Sequence, residues 1–286
     1  MSIKDILKIS KAEITFLVVI VSLSGFLAAP GAISHILRVI PLVVAGSMAS
    51  MSAAIFNNIY DRDIDVRMKR TSSRRYPLEG KGVRFFFAAS TAMIAVSMAI
   101  GLLFINPLST VFILMGFLSY VFLYTMFLKR RTSWNIVIGG IAGSFPAMAG
   151  WAAVTGGVSY TALFIALLVF MWTPTHFWSL AIGLKEDYQS AGIPMLPAKV
   201  GEDRASSFII INTVILVAYS MLPLVFHQIA VGHVYIIIAV IMDVVMMALV
   251  LKAFFELPER GGFRNAFHFS NLYLLVLLIA MWLVVI

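Results

Sequence analysis

Asn57, Asp61 and Asp65 stand four residues apart in the stretch Asn57-Asn58-Ile59-Tyr60-Asp61-Arg62-Asp63-Ile64-Asp65. If the apolar helix before them continues this far, that spacing turns about 40° per step and rises about 6 Å, so the three side chains share one face. An amide oxygen and two carboxylates in a row suit Mg2+, which keeps part of its water and takes one or two carboxylates together with substrate phosphates. Arg62, Arg67, Lys69, Arg70, Arg74 and Arg75 surround the row and supply the fixed positive charge that a diphosphate needs beyond the metal. Asp63 points elsewhere on the same helix, and with Arg67 it reads as an ordinary salt-bridged helix end. Lys81 and Arg84 read as contacts to anionic headgroups.

Two further places hold polar chemistry. Leu184-Lys185-Glu186-Asp187-Tyr188 offers Asp187 with Glu186 beside it, and Pro194 and Pro197 make 191–197 a poor helix and an ordered lid segment near the same mouth. Tyr124 and Lys129 close another apolar stretch, ahead of Arg130 and Arg131. Those last two cations also satisfy a helix C-terminus with no ligand at all.

The composition says what scaffold must position these groups. Of the 286 residues, 61% are hydrophobic and 12% charged, with mean hydropathy +0.99; a soluble globular chain is nearer 45–50% and about 25%. A soluble domain and a disordered chain are both excluded. The net charge is +8, which in so apolar a chain marks membrane loops rather than a nucleic-acid partner. The absence of cysteine excludes disulfide frameworks, thiolate metal sites, iron–sulfur ligation and cysteine nucleophiles. The 16 Met and 22 Phe are the side chains that lipid-facing and bundle-packing helices use.

A bilayer core of about 30 Å takes about 20 apolar residues per helix. Nine such windows cover 14–33, 36–56, 84–105, 107–128, 134–154, 160–182, 207–227, 231–251 and 267–286. The expected fold is therefore an all-α integral membrane protein, with nine transmembrane helices in one bundle and a single domain over 1–286. Lys4, Lys8 and Lys11 precede the first window and no small-residue cleavage site follows it, so it reads as a retained helix rather than a removed signal peptide. With the N-terminus in the cytoplasm, 20 of the 21 Lys and Arg fall on the inner side and only Arg38 falls outside. The positive-inside rule then puts the N-terminus in and the C-terminus out. The outer connections are a few residues long, whereas the inner ones at 57–83 and 183–206 are far longer than folding needs. Function concentrates on such segments, which places the active site at the cytoplasmic mouth of a multi-pass protein of the cell membrane.

The run from Asn57 to Asp65 resembles the Asn-x-x-x-Asp-x-x-x-Asp motif of the UbiA superfamily of intramembrane prenyltransferases. Asp61-Arg62-Asp63-Ile64-Asp65 with Met68, Arg70 and Thr71 is similar to the branch that farnesylates protoheme IX to give heme O. So are Lys129-Arg130-Arg131-Thr132 with Asn135 and Gly139-Gly140, Trp172-Thr173-Pro174 with His176-Phe177-Trp178, and Asp187-Tyr188 leading into Ala191-Gly192-Ile193-Pro194-Met195-Leu196-Pro197. The likeness is strong over about 50–205 and one of topology alone in the last three helices. One departure stands out: Arg75 and Tyr76 separate Arg74 from Pro77, so either arginine fills the position that the branch places directly before proline.

The resemblance implies nine helices and Mg2+, farnesyl diphosphate as donor and heme b as acceptor. It implies metal held by Asn57, Asp61, Asp65 and Asp187, with Asp61, Asp65 and Asp187 catalytic. The diphosphate would meet Asn57, Arg70, Arg74, Tyr124, Lys129 and Lys185, with Lys185 replacing part of a second metal's charge. It also implies a functional link to assembly of a heme-copper oxidase. His176, on the cytoplasmic half of its span, is a candidate axial ligand to heme iron, as is His268; His35, His227 and His233 fall near the outer face. Asp243, in the middle of a span, has no assigned role beyond an interhelical hydrogen bond or a polar cavity. Two rivals stand beside this expectation. One is a relative that prenylates a quinone precursor or another lipid-soluble acceptor, which the single Asp187 disfavours. The other is a transporter, which predicts acids at mid-membrane rather than at one face.

Overall fold

Inside a bilayer each apolar stretch must satisfy its own backbone, and a helix is how a single segment does so. The structure, a computed structural model, describes residues 3–69, 71–72, 78–256 and 262–284, and these contain helices and turns but no strand. In chain order the helices are α1 (Ile3–Ser10), α2 (Ala12–Leu27), α3 (Val39–Tyr60), α4 (Arg62–Asp65), α5 (Lys81–Phe104), α6 (Pro107–Leu118), α7 (Asn135–Gly139), α8 (Ile141–Thr155), α9 (Tyr160–Gly183), α10 (Lys185–Ser190), α11 (Leu196–Val200), α12 (Glu202–Ser220), α13 (His233–Phe255) and α14 (Gly262–Ala280). A π-helix, Ser119–Leu128, extends α6.

Eight of the segments are long and apolar enough to cross a membrane. The expected first window, 14–33, is instead α2, at 16 residues shorter than the other eight. Pro30 cannot continue a helix, and Gly31 adopts φ 81°, so α2 ends at Leu27, before the window that hydropathy suggests is complete. Tight turns at the same end begin with side-chain caps. Asn106 Oδ1 accepts from Ser109 N at 2.8 Å ahead of Pro107, and Ser159 Oγ accepts from Ala162 N at 3.1 Å.

Segments α7–α8 and α9 lie at the centre, 61% and 67% buried over their apolar windows, against 22% for α5. The outer helices turn Phe85, Leu103, Phe104, Ile241 and Val244 outward, the surface a lipid-facing bundle presents. Helix α2 packs on α8 with nothing between them. A Cβ on Gly150 would lie 1.8 Å from Ser22 O, and one on Gly25 would lie 2.0 Å from Ala147 O. Small residues buy this approach between membrane helices, where dispersion rather than the hydrophobic effect drives association.

The expected 134–154 window is split at Gly139-Gly140. Tyr124 packs so close to Gly139 that a Cβ there would meet its Cδ2 at 2.5 Å. Both long connections carry short helices, α4 in the first and α10 and α11 in the second, so neither is an irregular loop throughout. Asp243 lies in the middle of α13. Its Oδ2 accepts from Ser220 Oγ and its Oδ1 from Tyr273 OH, both at 2.6 Å. This is the interhelical bond expected of it, and it ties α12, α13 and α14 together.

Candidate active site

Helix α3 runs four residues past the apolar boundary, as a carboxylate row requires. Its last turn does not stop at Tyr60: Asp61 N donates to Asn57 O at 2.9 Å and Asp65 N to Asp61 O at 2.9 Å. These two bonds carry the i→i−4 register through the slight break at Asp61 into α4, so Asn57, Asp61 and Asp65 do share one face. All three are buried, at 2%, 1% and 5% exposure. Asp63 turns away into solvent, where Arg130 grips it through two nitrogens at 2.7 and 2.8 Å. That fork holds the Asp63 carboxyl below its ordinary range.

The π-helix decides what faces the row. In an α-helix, Tyr124 and Lys129 would be about 140° apart. Here Lys129 N donates to Tyr124 O at 2.8 Å, an i→i−5 bond, and Thr125 Oγ1 donates to Tyr120 O across the same interval at 2.8 Å. Wide turns of this kind gather at functional positions. This one brings Lys129 Nζ into contact with Asp61 Oδ2, and Arg130 Nη2 to 3.4 Å from Asp61 Oδ1. Thr125 Oγ1 accepts from Asn57 Nδ2 at 3.1 Å, and Asn57 Nδ2 also donates to Asp61 Oδ2 at 2.8 Å. Tyr124 stacks on Tyr120, with centroids 5.6 Å apart.

The amide of Asn57 is thereby oriented, with its NH2 toward Asp61 and its oxygen toward Lys11, whose Nζ donates at 2.5 Å. Two ammonium groups thus sit where a metal and its ligands would meet, standing in for a cation on the Asn57 and Asp61 oxygens. The donor set fits Mg2+: an amide oxygen, two carboxylates and room for substrate phosphate oxygens. Among the described residues no three His, Asp or Glu side chains converge, so the remaining ligands would be water and substrate. Lys11 and Tyr120 are participants that the sequence did not single out. Lys11 had a sufficient explanation as a topology-setting cation, and nothing in the sequence signals a π-helix.

The second loop approaches from across the mouth. Asp187 Oδ1 accepts from Lys69 N at 3.3 Å, and Ser190 Oγ donates to Arg67 O at 3.2 Å, so α10 closes against the segment following the carboxylate row. Lys185 reaches Glu202 Oε1 at 3.2 Å rather than the row. The segment at Pro194 is ordered by Ile193 N donating to Tyr188 O at 2.9 Å. Arg70 and Arg74 lie outside the described residues, and so does Arg75.

His176 is buried on α9, stacked on Trp172 at 4.2 Å and against Phe267 at 4.6 Å. Its Nδ1 is 2.7 Å from Ser270 Oγ, which already donates to Phe267 O at 2.7 Å.

The profile of the UbiA prenyltransferase family matches residues 18–272. Protoheme IX farnesyltransferase 2 of Picrophilus torridus is 53% identical over 282 residues, covering 99% of this chain and 98% of that protein. The fold is that of a solved digeranylgeranylglyceryl phosphate synthase, with TM-score 0.76 and 19% identity over 99% of this chain and 98% of that one. It is also that of an Archaeoglobus fulgidus UbiA homologue solved with GPP and Mg2+, with TM-score 0.66 and 15% identity over 98% and 99%. A buried oxygen row rimmed with cations at the end of a helical bundle is thus found in a chain that belongs to the UbiA prenyltransferase family, a multi-pass membrane enzyme that transfers prenyl groups.

Proposed function

We propose that this enzyme transfers farnesyl from farnesyl diphosphate to a vinyl group of protoheme IX, giving heme O, with Mg2+ as cofactor. The observation that carries the reading is the contact of Lys129 and Arg130 with Asp61, beside Asn57 and Asp65. It leaves oxygens for a cation and cations for a phosphate within one buried cluster. The heme acceptor is supported by the 53% identical relative named for that reaction. The metal is supported by the donor set and by the homologue that binds Mg2+ with a prenyl diphosphate.

Asn57, Asp61 and Asp65 would hold Mg2+ on the diphosphate, with Asp187 closing from α10. When bound, the ion neutralises charge that builds on the leaving oxygens. Lys129 meets the same oxygens and Tyr124 flanks it, while Arg70 and Arg74 complete the rim in this reading; Lys185 would have to leave Glu202 to join them. As the allylic C–O bond breaks, the diphosphate leaves with the electron pair. The vinyl π electrons then form the new C–C bond, and water adds to the resulting cation and loses a proton, leaving a hydroxyl. The apolar bundle encloses the 15-carbon tail and keeps water from the allylic cation until then. His176, buried on α9 beside Trp172, is in this reading the candidate to hold the substrate's iron.

Incubation of purified protein with Mg2+, farnesyl diphosphate and either heme b or a quinone precursor tests this, read by mass spectrometry. The expected product is heme b plus a farnesyl group and a hydroxyl. Prenylation of the quinone precursor alone would transfer the assignment to that branch of the family. A link to heme-copper oxidase assembly follows from the product and belongs to the same proposal.

The proposed topology is a single domain of nine passes, with the N-terminus and the site on the cytoplasmic side. It is supported by the lopsided cations, with α2 as the shortest pass. Because the chain has no cysteine, single-cysteine labelling is clean. In intact cells a membrane-impermeant maleimide is expected to label Val158→Cys, in the short turn before α9, and to leave Ser72→Cys unlabelled until the cells are opened. The reverse pattern would invert the topology.

A further inference from the structure

Helices α1 and α2 meet at Lys11, whose backbone lies at φ 50°, ψ 52°, the one non-glycine position of positive φ among the described residues. A residue with a Cβ is strained in this conformation, which glycine takes freely. The turn aims a lysine inward. Lys11 Nζ donates to Asn57 Oδ1 at 2.5 Å and to Tyr120 OH at 3.3 Å. The flanking chain is anchored on the same helix as the carboxylate row: Asn58 Nδ2 donates to Ile9 O at 2.6 Å, and Thr15 and Ser50 hydroxyls bond at 3.1 Å. Ile9 itself is fully buried beside Ile55 and Phe86. The strained residue is therefore held from both sides, and its ammonium lies on the oxygen that a metal would need.

We propose that Lys11 is a diphosphate-binding residue, occupying Asn57 Oδ1 in the resting site and moving onto the phosphate oxygens when the substrate's metal takes that oxygen over. The proposal rests on the prenyl diphosphate reading above. Lysine suits such an exchange, because its compact charge rides on a flexible four-carbon stem with three rotatable donors. It gives up a neutral acceptor for an anionic one, so that the Coulomb attraction between ammonium and phosphate adds to the hydrogen bond. It also joins α2 to the reacting groups, from the side of Asn57 opposite to Lys129 on Asp61.

The test is equilibrium binding of the unreactive analogue farnesyl thiodiphosphate, with Mg2+, to the purified full-length enzyme and two variants. Lys11→Gln keeps a donor for Asn57 and Tyr120 but has no charge; Lys11→Arg keeps the charge. Lys11→Gln is expected to weaken the analogue at least tenfold and to raise KM for farnesyl diphosphate, with KM for the acceptor unchanged. Lys11→Arg is expected to bind within a few-fold of the parent. If Lys11→Gln binds the analogue as tightly as the parent enzyme, Lys11 is only a structural strut and the proposal fails. If the parent enzyme does not bind the analogue at all, the prenyl diphosphate reading fails and takes this one with it, an outcome distinct from the first.

Discussion

Replacing Asp61 by Asn is expected to lower kcat by at least about 10²–10³-fold, the loss seen when one preorganised electrostatic contact to a developing charge is removed. Asp61 is the point where three demands meet. It is 1% exposed, it accepts from Asn57 Nδ2, and both Lys129 and Arg130 reach it. The amide keeps the shape of the carboxylate but gives up the charge that holds a metal and orients Lys129. The variant should still fold, because the Lys129 side chain is 13% exposed at a polar mouth and can rehydrate there. Asp65→Asn should behave likewise. Asp63→Asn should lose less than about tenfold, since Asp63 is solvated and its partner Arg130 has other contacts in Tyr60 O and the Tyr60 ring. Product formation by mass spectrometry, with size-exclusion chromatography as the check on folding, reads all three. Full turnover by Asp61→Asn would remove the carboxylate row from the mechanism.

Gly150→Ala should be the most destabilising single methyl in the bundle. Overpacking a core costs about 1–3 kcal/mol when side chains can yield, and here the added carbon would sit 1.8 Å from Ser22 O and 2.8 Å from Phe26 N, both backbone. Relief requires α2 and α8 to separate, which would also carry Lys11 away from Asn57 at the far end of α2. The loss should therefore exceed about 3 kcal/mol and appear as a large fall in thermal midpoint in detergent, with activity falling alongside. Gly116→Ala is the control. Its new Cβ would lie 3.5 Å from Phe145 Cβ, ordinary contact, and alanine gains roughly 0.5–1 kcal/mol over glycine within a helix. Equal behaviour of the two variants would mean that α2 and α8 are not in tight contact.

The two predictions separate what was legible in the sequence from what was not. Hydrophobic windows are set by bilayer thickness, so α5, α9 and α13 begin and end within a few residues of expectation, while α2 ends early because a hydropathy window averages over Pro30-Gly31. The row at 57, 61 and 65 was legible for a similar reason. Four-residue spacing means one face as long as the helix continues, and it does.

The sequence by itself determined an apolar helical chain with three oxygens in register on one helix, because both depend only on local periodicity. Tertiary structure decided which cations meet those oxygens. Lys129 reaches Asp61 through a π-helix that no periodicity announces, Lys11 reaches Asn57 through a left-handed turn 46 residues away, and Lys185 is taken up by Glu202 instead. Contacts between distant segments depend on helix packing, on Gly25 and Gly150 above all, and packing belongs to pairs of helices rather than to any one stretch of sequence.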